Sequence, residues 1–307
     1  MNKMKKIGIA GFILTALAFV VFCGYLYIKP RFLEKGIEIN SDNFPDDKLR
    51  EFAATYDKRN DGNGFLSETE IEHISMIELA GCENLKGIEY FTSTRTIKLT
   101  SCNDISAMGA LENLTSIELN GCPNVNVDLS KYSKLFKLGI DTCELKYDLN
   151  FNGFESLQSF SISDSVLGKL NVNNCPKLER GCIYRSQLEE ASVSDCVELD
   201  YFELSKIPNV KKCSVENCPD VFKVFFCDCP ELTSLEVDNC QDLYNIVVLG
   251  DTGLKEMTVK GSPIIYEAFN DKDNLEEHIN KWDGTVYLRH DNGTKVEYSG
   301  DVEFIIE

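Results

Sequence analysis

The chain has 307 residues, 43% hydrophobic and 26% charged, so it is long enough for one elongated domain or two compact ones and too apolar for bulk disorder. Its formal charge of −19 argues strongly against nucleic acid as a partner, because phosphate neutralisation by Lys and Arg supplies most of that affinity. The same acidity keeps the body soluble without naming a ligand.

Residues 1–31 break the acidic balance: they hold Lys3, Lys5, Lys6, Lys29 and Arg31 and no acid. Inside them "IGIAGFILTALAFVVFCGYLYI", residues 7–28, carries no charge. As a helix rising about 1.5 Å per residue it reaches roughly 33 Å, enough for a bilayer core. The basic start favours a cytoplasmic N-terminus and an extracellular remainder. A cleaved signal peptide shares those features, but Tyr25, Tyr27 and Lys29 stand where its small-residue cleavage site belongs. Bulky Phe22 makes the segment before Cys23 a poor lipoprotein signal. The expectation is an uncleaved single-pass anchor.

Residues 32–73 read as helix, loop, helix. Asp46 or Asp47 can start the first helix, with Leu49 and Phe52 on its buried side. Ser67 can cap the second, since Glu70 three residues on completes a capping box. The loop between is similar to an EF-hand calcium loop. Asp61, Asn63, Gly64, Leu66, Ser67 and Glu70 fit positions 3, 5, 6, 8, 9 and 12 of the usual spacing. Position 1 falls on Arg59, which cannot bind a cation, while Asp57 lies two residues early, as if the loop carried an insertion. Candidate calcium ligands are therefore Asp57, Asp61, Asn63, Ser67 and Glu70. The alternative is a structural cap that keeps only the shape. No other cofactor is expected.

Residues 74–265 repeat. "ISMIELAGCENL", "TRTIKLTSCNDI", "LTSIELNGCPNV" and "LFKLGIDTCEL" share one frame of apolar-x-apolar followed three residues later by Cys. From Leu157 the spacing halves, and phrases open every ten or eleven residues through Leu254. Apolar-x-apolar alternation is the signature of a short strand with one buried face. Pro123, Pro176, Pro219 and Pro230, with nearby Asn and Asp, supply turns. Such strands cannot bury their faces singly, but stacked coils share one core. A primary sheet is expected through residues 117–119, 138–140, 160–162, 202–204, 224–226 and 246–248. An opposing one is expected through 170–172, 191–193, 213–215, 235–237 and 257–259.

The pattern resembles the leucine-rich repeat, Leu-x-x-Leu-x-Leu-x-x-Asn/Cys-x-Leu. The helix–loop–helix cap followed by "LKGIEYFTST" is further similar to the start of internalin-like surface proteins of Gram-positive bacteria. The resemblance implies an α/β leucine-rich-repeat solenoid, and the halved spacing makes it β-rich, with two strands per coil in its second half. A general right-handed β-helix is the competing fold. Residues 266–307 should close the last coil: "DKDNLEEHINKW" spaces Leu275, Ile279 and Trp282 on one helix face, and Asp291-Asn292-Gly293 reads as the turn of a hairpin.

Chemistry is sparse. Cys175, Cys196, Cys218 and Cys240 recur at 21 or 22 residues, and Cys82, Cys102, Cys122 and Cys143 form an earlier column that Ser165, Ser186 and Cys229 continue. Disulfides would suit an exported chain, but Ser substituting in register points to packed thiols. There is no Cys-x-x-Cys for structural zinc, and Cys227 and Cys229 are the nearest pair. A cysteine nucleophile lacks a partner within the repeats, since His73, His278 and His290 all fall in the caps. No pair of acids stands out for hydrolysis. Of the aromatics beside turns, Tyr132, Phe136, Tyr147, Phe151, Phe154, Tyr201, Phe222 and Tyr244 suit either core filling or recognition.

The expected function is non-catalytic, membrane-anchored recognition of a protein or glycan. The contact residues expected on the outward side of the primary sheet are Lys98, Glu118, Gly139, Ser161, Tyr184, Glu203, Phe225 and Val247. Phe225 and Val247, apolar where exposure is expected, make the C-terminal half of that face the sharper candidate. An envelope-associated hydrolase using solenoid acids and a purely structural spacer are the alternatives.

Overall fold

A computed structural model describes residues 36–243 and the strands at 245–252, 256–260, 265–268, 285–288, 295–299 and 304–306; side chains are described through 248, except 58–60, 244 and 245, and beyond that at Thr258 alone. The expected span 7–28, the helix at 271–282 and the turn at 291–293 lie outside the described residues. Among the described residues no helix is long and apolar enough to cross a membrane.

The repeats wind into a parallel β-solenoid. Met76–Ala80, Thr96–Thr100, Ser116–Asn120, Lys137–Asp141, Ser159–Ser163, Arg180–Tyr184, Tyr201–Ser205, Lys223–Cys229 and Asn245–Thr252 stack in that order as the primary sheet. Its inward rows run Ile77, Ile97, Ile117, Leu138, Phe160, Gly181, Phe202, Val224, Ile246 and, two residues on, Leu79 through Val248. Gly181 apart, these apolar side chains are buried, each contributing roughly 1.5–3 kcal/mol by leaving water.

The return path changes along the chain. Early coils return through 3₁₀ turns at Ile88–Tyr90, Ser106–Ala110 and Leu129–Lys131. From Leu149–Asn152 onward the return is itself a strand, and Lys169–Asn173, Glu190–Ser194, Lys212–Glu216, Ser234–Asp238 and Glu256–Lys260 build the opposing parallel sheet. All strands expected in the two sheets take their places. Between Leu149 and Glu256, two were not anticipated. Leu149–Asn152 opens the opposing sheet earlier than the halved spacing suggested. Arg180–Tyr184 was hidden by Gly181, which breaks the apolar alternation. A Cβ there would lie 2.5 Å from the Phe160 ring, so glycine makes room for the large neighbour in the same row.

Each strand ends in one local device. The residue before the inward Cys or Ser adopts a left-handed conformation: Ser101 (φ 52°), Thr142 (53°), Asn174 (51°), Asp195 (54°), Asn217 (52°) and Asn239 (53°). Gly81 and Gly121 take the same role, and the N–H of this residue donates to the strand-end carbonyl of the next coil, as Gly81 does to Thr100 at 2.7 Å. The left-handed corner turns the chain inward, and Asn, Asp and Gly tolerate it best.

The N-terminal cap closes the first coil. Asp47–Asn60 forms a helix capped by Asp46, and Glu68–Glu72 a short second helix with the expected capping box from Ser67 and Glu70. Phe44 stacks on Phe91 with ring centroids 5.9 Å apart, and Phe52 meets the same ring edge-on at 5.8 Å. Asp46 Oδ2 accepts from Glu83 N at 2.8 Å and Lys48 Nζ donates to Gly81 O at 2.6 Å. These contacts cover the first strand's edge, which would otherwise template further pairing.

The C-terminal end differs from the expected hairpin. Thr285–Leu288 joins the primary sheet beside Asn245–Thr252, while Lys295–Ser299 joins the opposing sheet beside Glu256–Lys260, both parallel. The two segments therefore do not pair with each other. Each open sheet presents an edge of unpaired backbone groups, and the alternating segments satisfy one edge apiece. Strands Ile265–Ala268 and Phe304–Ile306 extend the primary sheet further.

Candidate functional site

The outward row of the primary sheet runs through Glu78, Lys98, Glu118, Gly139, Ser161, Cys182, Glu203, Phe225 and Val247, each in register with the next. Seven of the eight expected contact residues occupy this row. Tyr184 does not: it sits two residues further along its strand, opposite Ser163 and Ser205, and Cys182 holds the place assigned to it. Gly181 had obscured the register.

The row has two chemically different halves. In the first, Lys98 Nζ bonds Glu118 Oε2 at 2.8 Å and Lys137 Nζ approaches Oε1 at 3.7 Å. The Lys98 ammonium, chiefly, holds the Glu118 carboxyl below its usual range. Gly139 carries no side chain into the row, leaving a shallow polar trough of about 400 Å³ lined by Lys98, Glu118, Asp141, Ser161 and Ser163 among others.

In the second half rings replace ion pairs. Glu203, only 8% exposed, accepts from the phenols of Tyr201 (2.6 Å) and Tyr184 (2.8 Å) on the same oxygen, Oε2. The Arg180 guanidinium lies 5.5 Å from the Tyr201 ring centre, and Lys223 Nζ lies 4.9 Å from that of Phe225. Burial is the main cause that pushes both phenols up, with Glu203 adding to it; burial also draws the Lys223 ammonium down. Phe225 is half-buried. Val247, expected to be exposed, is 3% exposed, whereas Phe225 beside it in the row shows a surface.

Glu203 is the one buried carboxylate on this sheet among the described residues, so no buried acid–base pair is assembled there. Among the described residues the exposed aromatics beside turns are Phe136 and Tyr147, whereas Tyr132, Phe151 and Phe154 fill the core.

Nine of the twelve described cysteines pack as two buried columns; Cys182, Cys213 and Cys227 stand outside them. Cys102, Cys122 and Cys143 direct their thiols to the carbonyls two residues before them, and Cys175, Cys196, Cys218 and Cys240 do the same on the other side. Ser165 and Ser186 take equivalent places through Ser163 O (2.6 Å) and Tyr184 O (2.7 Å), and Ile207 fills the slot between Ser186 and Cys229. The twelve described cysteines carry free thiols.

At the cap, Asp57, Asp61 and Glu70 converge, with a carboxylate oxygen from each within 4.8 Å of the others. The two-residue surplus that put Arg59 in the first ligand position is absorbed by the helix, which continues through Asn60 beyond Asp57. Asp57 accepts the backbone N–H groups of Asn63 (2.9 Å) and Gly64 (3.2 Å), which folds the loop back over the helix end. Asn63 turns its amide nitrogen to Asp61 Oδ2 at 2.7 Å and its oxygen to Phe65 N at 2.8 Å. The Ser67 hydroxyl is engaged with Glu70 Oε2 at 2.8 Å, as part of the cap.

Register, coil length and cap together define a leucine-rich-repeat-type β-solenoid. No family model and no curated protein matches the chain. Among solved structures, the chain is similar to three proteins of Listeria monocytogenes. One is an internalin, inlF (14% identity, 88% of this chain and 95% of that chain covered, TM-score 0.38). Another is internalin C2 (16%, 83% and 97%, TM-score 0.41). The third is the functional domain of InlJ, described as including a cysteine ladder (13%, 81% and 81%, TM-score 0.28).

Proposed function

We propose that the chain is a non-catalytic recognition protein that captures a protein or glycan on the outward face of its primary sheet. The observation that carries this reading is the cluster of Tyr184, Tyr201, Lys223 and Phe225 around the buried Glu203 carboxylate. Half-buried rings held rigid by hydrogen bonds and flanking cations are what recognition hot spots are built from, because they bring contact area at little entropic cost. A purely structural spacer has no need of such a patch. The hydrolase alternative lacks support for the same reason that Glu203 is informative: its carboxylate is committed to two phenols.

In this reading residues 7–28 anchor the chain in a membrane, N-terminus cytoplasmic, and the solenoid stands outside. The uncharged run and the basic residues preceding it support this. Protein and glycan arrays probed with the full chain test the function, with Phe225→Ala and Tyr201→Ala alongside. Capture that weakens at least about tenfold in both variants, with both still folded at the assay temperature, supports the patch. Undiminished capture by both variants places recognition elsewhere.

A further inference from the structure

The helix–loop–helix cap presents an anionic cluster whose chemistry is not completed by the protein itself. Asp57 is 4% exposed and Glu70 6%, so two of its three carboxylates are removed from water. None of the ion pairs among the described residues involves Asp57, Asp61 or Glu70. Glu70 Oε2 is occupied by Ser67 N and Oγ, each at 2.8 Å, but Glu70 Oε1 is buried with no hydrogen-bond partner. Buried polar atoms are nearly always satisfied, and a carboxylate oxygen that is not satisfied indicates a missing partner. Three carboxylates with oxygens within 4.8 Å of one another select a cation as that partner.

We infer that this cluster is a calcium site, with Asp57, Asp61 and Glu70 as its carboxylate ligands. Oxygens lying within 4.8 Å of one another can be spanned by two metal–oxygen bonds of about 2.4 Å, the length calcium prefers. An all-oxygen donor set suits a hard cation, and an irregular loop suits calcium better than magnesium, which demands a near-ideal octahedron. The ion joins the end of the first helix, through Asp57, to the start of the second, through Glu70. It thereby clamps the cap that covers the first coil's edge. Waters complete its shell.

Calcium titration of the full chain, read by calorimetry and by thermal unfolding, tests the site. One calcium per chain is expected, with Kd on the order of 10⁻⁴–10⁻³ M, the range of extracellular modules, and a rise in Tm on saturation. Glu70→Gln preserves the capping box, because Gln caps as Glu does, and should weaken calcium at least about tenfold. Asp61→Asn, at an exposed position, should do likewise without affecting the metal-free Tm. No heat and no Tm shift at about 10 mM calcium overturns the site. So does equal affinity in wild type and both variants, and magnesium binding as tightly as calcium overturns the choice of metal.

Discussion

Tyr201 and Glu203 lie two residues apart on one strand, and the Tyr201 hydroxyl donates to Glu203 Oε2 at 2.6 Å. Tyr184, from the preceding coil, donates to the same oxygen. One buried carboxylate thus ties two coils and holds two rings in place at the surface. Hydrogen bonds to charged groups contribute about 1.5–3 kcal/mol when desolvated. Tyr201→Phe should therefore lower stability by about 1–2 kcal/mol. A urea midpoint within error of wild type would show that water serves the carboxylate equally well.

The same pair predicts a dependence on alkaline pH. Burial chiefly, and then Glu203, raises both phenols above the ordinary value of 10. A group whose folded pKa is raised contributes stability that is complete below its unfolded pKa and is lost as pH climbs towards the folded one. Unfolding midpoints should fall above pH 10. Buried thiols also contribute there, so the comparison is with Tyr184→Phe/Tyr201→Phe, which should show a shallower fall. Parallel profiles would remove the phenols from the account.

Asp46 predicts the acid limb. Burial raises its pKa, but backbone N–H groups of Glu83, Leu49 and Lys48 outweigh burial and leave it below 3.8. A depressed pKa contributes stability present above the unfolded value and lost as pH falls through the folded one. Asp46→Ala should cost about 1–2 kcal/mol near neutral pH, through loss of the helix cap and of the tie to the first coil. The cost should shrink below pH 3.8. A constant difference across that range would argue against an ionised cap.

The columns predict how the thiols behave. Of the twelve described cysteines, Cys227 alone is not buried. Brief alkylation of the native chain should label Cys227 well ahead of the other eleven, and unfolding should expose them all to reagent. Peptides linked through sulfur in non-reducing mass spectrometry would refute packed thiols. Cys122→Ser should be mild, within about 1 kcal/mol, because Ser165 and Ser186 occupy the same column.

Thr142 holds a left-handed corner at φ 53°, the conformation that Asn174, Asn217 and Asn239 adopt in equivalent places. A β-branched side chain is strained there. Thr142→Asn should raise stability by about 0.5–1 kcal/mol. A lower Tm would mean that Thr142 makes a compensating contact, such as its 3.2 Å hydrogen bond to Asp141.

Much of this molecule is written locally. A side chain that alternates in and out every second residue, with a small residue three places after the inner apolar one, determines strands, turns and coil length without reference to distant partners. That is why the strands from Ile117 to Val248 and the capping box of Ser67 and Glu70 were legible, and why Cys240 and its relatives marked the register. Legibility failed where one coil compensates another. Gly181 is inward because Phe160 fills its space, and Tyr184 was placed out of row as a result. The expected C-terminal hairpin gave way to two parallel strands for a similar reason: alternation specifies a strand but not which open edge it will satisfy.

The sequence by itself determined the repeat, its buried rows and the residue types available for recognition and for a metal. Only the tertiary structure decided which of them act together. Glu203 becomes an anchor for two rings because stacking brings Tyr184 to it from 19 residues away, and Val247, on the outward row, is nevertheless buried. Asp57 joins Asp61 and Glu70 because the helix extends to Asn60 and absorbs the surplus residues. Periodicity is a property of neighbours along the chain, whereas a site is a property of neighbours in space.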